Sequence, residues 1–238
     1  MATPIGIAVV TRQAASGYAL RALPHRRTYT TSWDINRHRA DVPKAASRPL
    51  RRRSCRTLGR MNQIPVLSCR EVSEMENIAA LTVLIRSAYA PHAASGLRYW
   101  ATHQSAEDTA KRLASGHGFV AELNGVVVAT VTLRQPEPES KVPLLREAAT
   151  WSFGQFAVAP EHKGRGFGKQ IHDFALLYAA KHGCKKMALH TAQPATALIA
   201  MYRSWGYELA GTCDWRPHTN FVSVLMSKPV PAPQPNAA

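Results

Sequence analysis

Long apolar runs are missing from this chain. No stretch of about 18 apolar residues occurs in its 238 positions, which excludes a transmembrane helix. Cysteine is scarce. Cys55, Cys69, Cys184 and Cys213 are too few and too scattered for a disulfide scaffold, and none forms a C-x-x-C pair. That excludes zinc ribbons, zinc fingers and thioredoxin-type motifs, so no metal is expected. A reduced, intracellular, cytoplasmic protein is the expectation. No internal repeat is present. Acidic residues are nearly absent from the first 60 positions, where Asp34 and Asp41 stand against 13 Lys and Arg. From residue 61 onward 17 Lys and Arg meet 13 Asp and Glu, so most of the +15 net charge sits in the first quarter. With 45% hydrophobic and 19% charged residues, the chain can build a core.

Residues 1–60 show no sustained periodicity and carry Pro4, Pro24, Pro43, Pro49 and the cluster Arg51-Arg52-Arg53. Such a stretch buries too little apolar surface to offset its ordering entropy and is expected to be disordered. Three readings stay open: an organelle transit peptide, a basic arm for nucleic acid or another anion, or a translated upstream region with Met61 as the start. The third is favoured because Met61 directly precedes the first well-formed pattern. A secretory signal fits poorly, since Ile5–Val10 is short and has no basic residue before it.

Order begins after residue 61. Ile64–Ser68 reads as a short strand. Ser73-Glu74-Met75-Glu76 reads as a capping box opening a helix that Pro91 ends. Ser105 with Asp108 opens a second helix that stops at Gly116. Phe119–Leu123 and Val126–Leu133 flank Asn124-Gly125, a strong hairpin signal. Trp151–Val158 is a strand, and a helix follows the glycine-rich turn Gly164–Gly168. Lys186–Thr191 is a strand, Ala195–Trp205 a helix closed by Gly206, and Tyr207–Thr212 and Phe221–Ser227 are final strands. The order β-α-α-β-β-β-α-β-α-β-β predicts an α/β (α+β) domain over 61–228, with a mixed central sheet and a Pro-rich tail at 229–238.

The chemistry is carried by Phe156-Ala157-Val158-Ala159-Pro160-Glu161-His162-Lys163-Gly164-Arg165-Gly166-Phe167-Gly168-Lys169-Gln170. A strand ends, proline stops it, and a glycine-rich turn enters a helix. Glycines permit tight turns and close approach of the backbone to a ligand. The helix N-terminus adds unpaired N–H groups and the positive end of the dipole, which together suit a phosphate or pyrophosphate. Lys163, Arg165 and Lys169 add charge. A Walker A loop fails, because Lys163 stands where the first Gly belongs and Gln170 where Ser or Thr should be. A Rossmann fingerprint fails, because Lys169 occupies the third Gly position.

Lys163-Gly164-Arg165-Gly166-Phe167-Gly168 resembles the pyrophosphate loop of the GNAT acetyltransferases, [QR]-x-x-G-x-[GA], with Lys at the first position. Ala157-Val158-Ala159-Pro160-Glu161 is similar to that family's V-x-P-E strand end. Tyr202-Arg203-Ser204-Trp205-Gly206-Tyr207 is similar to its Y-x-x-x-G-[FY] helix end. The resemblance covers about residues 64–228 and implies a mixed, mostly antiparallel central sheet flanked by helices. It implies acetyl-CoA as co-substrate, lying between the fourth and fifth strands. By that match the segment Phe156, Ala157, Val158 would border the pantetheine arm, with the backbones of Phe156 and Val158 pairing to it. Lys163, Gly164, Arg165, Gly166, Phe167, Gly168 and Lys169 would surround the pyrophosphate, and Tyr202 would lie near the cofactor sulfur.

Two positions depart from the family. Ala195 replaces an Asn that often contacts the cofactor, and Ser152 replaces a Glu that serves some members as general base. The resemblance implies acetyl transfer to an amine, which must lose a proton before it attacks. Tyr202 is the candidate proton donor to the thiolate; Glu147, His190 and His218 are candidate bases. Arg98, Tyr99, Trp100 and His103 fall where substrate-gating elements are expected, or anchor a loop. The expected partner is a small-molecule or peptide amine, with neither membrane nor nucleic acid, and a homodimer is allowed. Two rival readings are an acyl-CoA-binding sensor without catalysis and nucleic-acid binding through the basic arm.

Overall fold

A computed structural model describes residues 65–232. The basic segment, its three readings, the proposed start at Met61 and the last six residues lie outside the described part. The elements run β1 (Ser68–Glu71), α1 (Ile78–Ala94), α2 (Ala106–Ala114), β2 (His117–Leu123), β3 (Val126–Arg134), the one-turn α3 (Pro143–Arg146), β4 (Thr150–Val158), α4 (Phe167–Lys181), β5 (Lys186–Ala192), α5 (Thr196–Ser204), β6 (Glu208–Asp214) and β7 (Val222–Pro229). The strands form one seven-stranded sheet in the order β1-β2-β3-β4-β5-β7-β6. Every neighbouring pair is antiparallel except β4 with β5. This is the expected mixed, mostly antiparallel architecture, with α3 as an addition. Among the described residues no helix is long and apolar enough to cross a membrane.

Strand alternation divides the core between the two faces of the sheet. Phe119 and Ala121 join Val131, Leu133, Phe167, Ile171 and Ala175 under α4. Val120, one residue along, turns to the other face and meets Leu81, Ile85 and Ala88 of α1 and Leu113 of α2. Phe119, Val120, Ile85 and Ile171 are all essentially inaccessible, and each large side chain contributes about 1.5–3 kcal/mol by its burial. The β2–β3 hairpin turns at Asn124 and Gly125, whose φ values of +53° and +80° are those the dipeptide tolerates.

Three local expectations change. The first strand lies at Ser68–Glu71, just after the apolar run at 64–68. The capping box at Ser73 does not form: Asn77 caps α1 by accepting from the Ala80 N–H. The Glu76 carboxylate is instead drawn to the Arg70 guanidinium at 2.7 Å. Helix α1 also continues past Pro91 to Ala94. Proline has no N–H to give Ser87, which weakens the ladder there. The Lys163 ammonium donates to the neighbouring Ala88 carbonyl at 2.6 Å and braces this weak point.

Helix α4 is tied to the start of β6 by a buried polar chain. His172 Nδ1 lies 2.9 Å from Asp173 Oδ1, and His172 Nε2 lies 2.9 Å from the Tyr207 hydroxyl. Burial holds the His172 pKa down. The neutral ring therefore donates to Asp173 and accepts from Tyr207. Tyr207→Phe leaves His172 Nε2 buried without a donor, so chemical denaturation should show a loss of about 1–3 kcal/mol.

Candidate active site

The site is built where β4 and β5 part. Their parallel pairing is confined to Thr150–Ser152 against Lys186–Ala188. Beyond that, β5 stays with β7 to Ala192, while β4 stays with β3 to Val158. A wedge opens between them. A bulge in β4 assists, since Gly154 pairs with Thr132 and Ala157 with Thr130, which leaves two residues facing one. Gln155, in that bulge, has a φ of +47°. A non-glycine residue there is strained by about 1–2 kcal/mol, and such bulges re-aim strands beside functional sites.

The wedge leaves main-chain groups open along β4. The Ala159 N–H bonds to Val128 of β3. By the two-residue alternation of a strand, Ala157 also points to β3, and Val158 and Phe156 point their backbone groups into the wedge. The Ala157 side chain is buried against α1. Across the gap, the Tyr99 hydroxyl accepts from the Ala192 N–H at 3.1 Å and lies 3.0 Å from Thr191 Oγ1, covering part of the β5 edge.

At the wide end sits the glycine turn. Gly164 and Gly166 adopt φ of +73° and +78°, and Gly166 is the N-cap of α4 with no side-chain cap. The backbone N–H groups of residues 164–169 donate to no protein acceptor among the described residues. Gly168 serves differently: a Cβ there would meet Phe156 Cζ at 3.4 Å and Val158 Cγ2 at 3.5 Å, so it lets α4 sit close on β4. Open amides, two left-handed glycines and a close helix–strand contact fit a pyrophosphate on the N-terminus of α4.

The cations around this turn are mostly committed. Lys163, expected at the pyrophosphate, is held on the Ala88 carbonyl, and burial lowers its pKa. Lys169 pairs with Asp173 at 2.5 Å. The Arg165 guanidinium lies over the buried Phe167 ring at 4.8 Å and bonds to His162. The turn therefore offers an anion its amides and helix dipole first.

The narrow end of the wedge opens into a cavity of about 520 Å³. Tyr202 of α5 lines it, 5% exposed, within a ring of Phe153, Trp205 and Tyr207. Burial, reinforced by Tyr89, Tyr207 and Tyr99, pushes the Tyr202 hydroxyl well above its ordinary pKa of 10. It holds its proton at any physiological pH. His190 of β5 also lines the cavity. Its face is open to the cavity, but protein crowds its other sides; this desolvation, then Arg134 and Arg112, lowers its pKa to about 4. An unfolded histidine titrates near 6.5. The stability this neutral ring supplies is therefore complete above that pH and is lost as pH falls toward 4. An NMR titration of the His190 ring should place its midpoint well below the ordinary 6.5.

Glu147, expected as a base, lies outside the cavity. It is exposed, pairs with Lys186 at 2.6 Å and accepts from Thr150, and these contacts lower its pKa. The wall's carboxylates are Asp108, which is bound into the cap of α2, and Glu137, which has no ion-pair partner among the described residues. His218 stands on the rim beside Trp100, their rings 5.7 Å apart. Tyr99 and Trp100 line the cavity as well, while the His103 ring lies tilted against Trp100 at 5.9 Å and the Arg98 N–H bonds to Asn220. Ser152 lies on the wall, where the related Glu would have stood. Sequence reasoning missed Glu137, Gln155, Arg112 and Arg134. Only an inward charge at helical spacing, with Arg112 between Thr109 and Leu113, could have hinted at one of them.

A model of the acetyltransferase (GNAT) family matches residues 80–207. The chain belongs to the GNAT acetyltransferase family. It is an acetyltransferase of that fold, using acetyl-CoA and an amine acceptor. Two curated relatives come from Bacillus subtilis. An S-alkylcysteine N-acetyltransferase is 26% identical over 58% of this chain and 77% of its own length. An S-(2-succino)cysteine N-acetyltransferase is 28% identical over 59% of this chain and 82% of its own. The crystal structure of the ribosomal-protein-S18-alanine N-acetyltransferase from Escherichia coli shares the GNAT fold, with a TM-score of 0.53 and 16% identity over 72% of this chain and 99% of that one. Among the described residues no cluster of His, Cys, Asp and Glu could hold a metal ion.

Proposed function

We propose that the chain transfers the acetyl group of acetyl-CoA to a primary amine by direct attack, inside the opening between β4 and β5. One observation carries this reading: the wedge leads from the free amides of residues 164–169 at one end to the Tyr202 cavity at the other. Acetyl-CoA supplies an activated acyl group with a thiolate leaving group; the chain's residues supply alignment and proton handling. The amides of the turn hold the pyrophosphate, and the backbones of Phe156 and Val158 align the pantetheine arm along β4. The Val158 N–H polarises the acetyl carbonyl. An alkyl ammonium with a pKa of about 10.4 must first lose its proton. Glu137 receives it, directly or through cavity water. The Tyr202 hydroxyl protonates the departing thiolate, and neighbouring apolar rings keep bulk water away from it. Alignment of the two reactants itself contributes several kcal/mol.

The test is a thiol-release assay with acetyl-CoA and a panel of amines. The reading expects one CoA released for each acetylated amine. Tight acetyl-CoA binding without release above hydrolysis would support the sensor reading instead.

A further inference from the structure

Two guanidinium groups meet on the cavity wall, and neither is in ion-pair contact with the wall's carboxylates, Asp108 and Glu137. Arg112 comes from α2 and Arg134 from the end of β3, and both line the cavity. They converge over Gly154 of β4. A Cβ at that glycine would lie 3.5 Å from Arg112 Nη2 and 4.0 Å from Arg134 Nη2. Among the described residues neither arginine has an acidic partner within ion-pair distance. Two like charges brought this close repel each other, and folding gains nothing from leaving them unpaired.

The arrangement is also held in place. Arg112 Nη1 donates to Gln104 Oε1 at 2.5 Å, and Gln104 is fully buried, with its amide donating to Thr109 at 2.6 Å. The glycine beneath keeps the space above it clear. A third donor lies beside them: Gln155 is 1% exposed, accepts from Thr132 through Oε1, and has an Nε2 with no protein partner. Burial and the charge of Arg134 lower the Arg112 pKa to about 10, so it still carries its charge at neutral pH.

We propose that Arg112 and Arg134, with Gln155 beside them, form a carboxylate clamp, and that the acceptor is a small molecule bearing both a primary amine and a carboxylate. The chemistry follows from the geometry. Arginine forks bind carboxylates bidentately, and such charge-assisted bonds are roughly twice as strong as neutral ones. The cavity, about 520 Å³, is the size of a small-molecule site. A carboxylate in the clamp fixes one end of the acceptor and leaves its amine to be aimed at the wedge. The same anion relieves the repulsion between the two guanidiniums. The proposal rests on the acetyl-transfer reading for its reaction, but not for its binding step.

The test compares α-amino acids with their own carboxamides, which keep the amine and side chain and lose the negative charge. Calorimetric binding to the CoA-loaded protein is measured beside turnover. Carboxylates should bind at least about 10- to 100-fold more tightly than the matched carboxamides. Arg134→Gln and Arg112→Lys should each raise the carboxylate Kd about 10-fold or more, leaving carboxamide binding and the KM for acetyl-CoA within about 3-fold. Arg112→Lys keeps the charge, so it separates loss of the fork from misfolding. Equal binding of both series, or arginine variants that weaken both series alike, would overturn the clamp. So would preferential acetylation of a peptide amine whose carboxylate is remote. Carboxylate-selective binding without any acetyl transfer would keep the clamp and defeat the transfer reading.

Discussion

Tyr202→Phe lowers kcat by about 10- to 10⁴-fold, the upper part of that range being typical of the loss of a general acid. The KM for acetyl-CoA moves little, because the hydroxyl acts as the thiolate forms. The ring is kept, and with it the contacts to Phe153, Trp205 and Tyr207. No protein group bonds to the hydroxyl among the described residues, so thermal stability should hold. The lower end of the range applies if water replaces the phenol, since a CoA thiolate leaves readily. A variant with the parent's kcat, or one that fails only by unfolding, would make Tyr202 a packing residue.

Gly166→Val raises the Kd for acetyl-CoA by about 10-fold or more. The φ of +78° at the N-cap of α4 disfavours any Cβ by about 1–2 kcal/mol, and a branched one by more. Relief of that strain turns the amides of the loop away from a common centre. Lys163→Ala serves as contrast. It removes the donor to the Ala88 carbonyl, so stability should fall by about 0.5–1.5 kcal/mol while acetyl-CoA affinity stays within about 3-fold. Calorimetry on the two variants separates the roles. Unchanged affinity in Gly166→Val would mean the turn is a connector.

The parts of the site legible in the sequence are those written into one continuous segment. Residues 156–170 carry a strand end, a proline stop, two glycines needed for positive φ and a helix start, and each leaves a mark on composition. Asn124-Gly125 was readable for the same reason. What the sequence hid was assembled across distance. Ser73 and Glu76 had the spacing of a capping box, but Arg70 offered Glu76 a stronger partner. Pro91 signalled a stop, yet a lysine 72 positions downstream supports the broken ladder. Glu147 has a fitting position in the order of elements, while in space it pairs with Lys186 away from the cavity wall. Arg112 and Arg134 belong to a helix and a strand with no shared motif; only the bulge and the bare Gly154 between them reveal the pairing. Lys163 reads as a phosphate ligand by its neighbours in sequence, and in space its ammonium is bonded to the Ala88 carbonyl.

The central claim is that the wedge between β4 and β5 holds acetyl-CoA with its thioester at Tyr202. A crystal structure of the protein with bound acetyl-CoA tests it directly. The account predicts pyrophosphate oxygens within hydrogen-bond distance of the backbone amides of residues 164–169, the pantetheine arm along Phe156 and Val158, and the sulfur beside the Tyr202 hydroxyl. A cofactor lying outside the wedge, or one whose sulfur is remote from Tyr202, would contradict it.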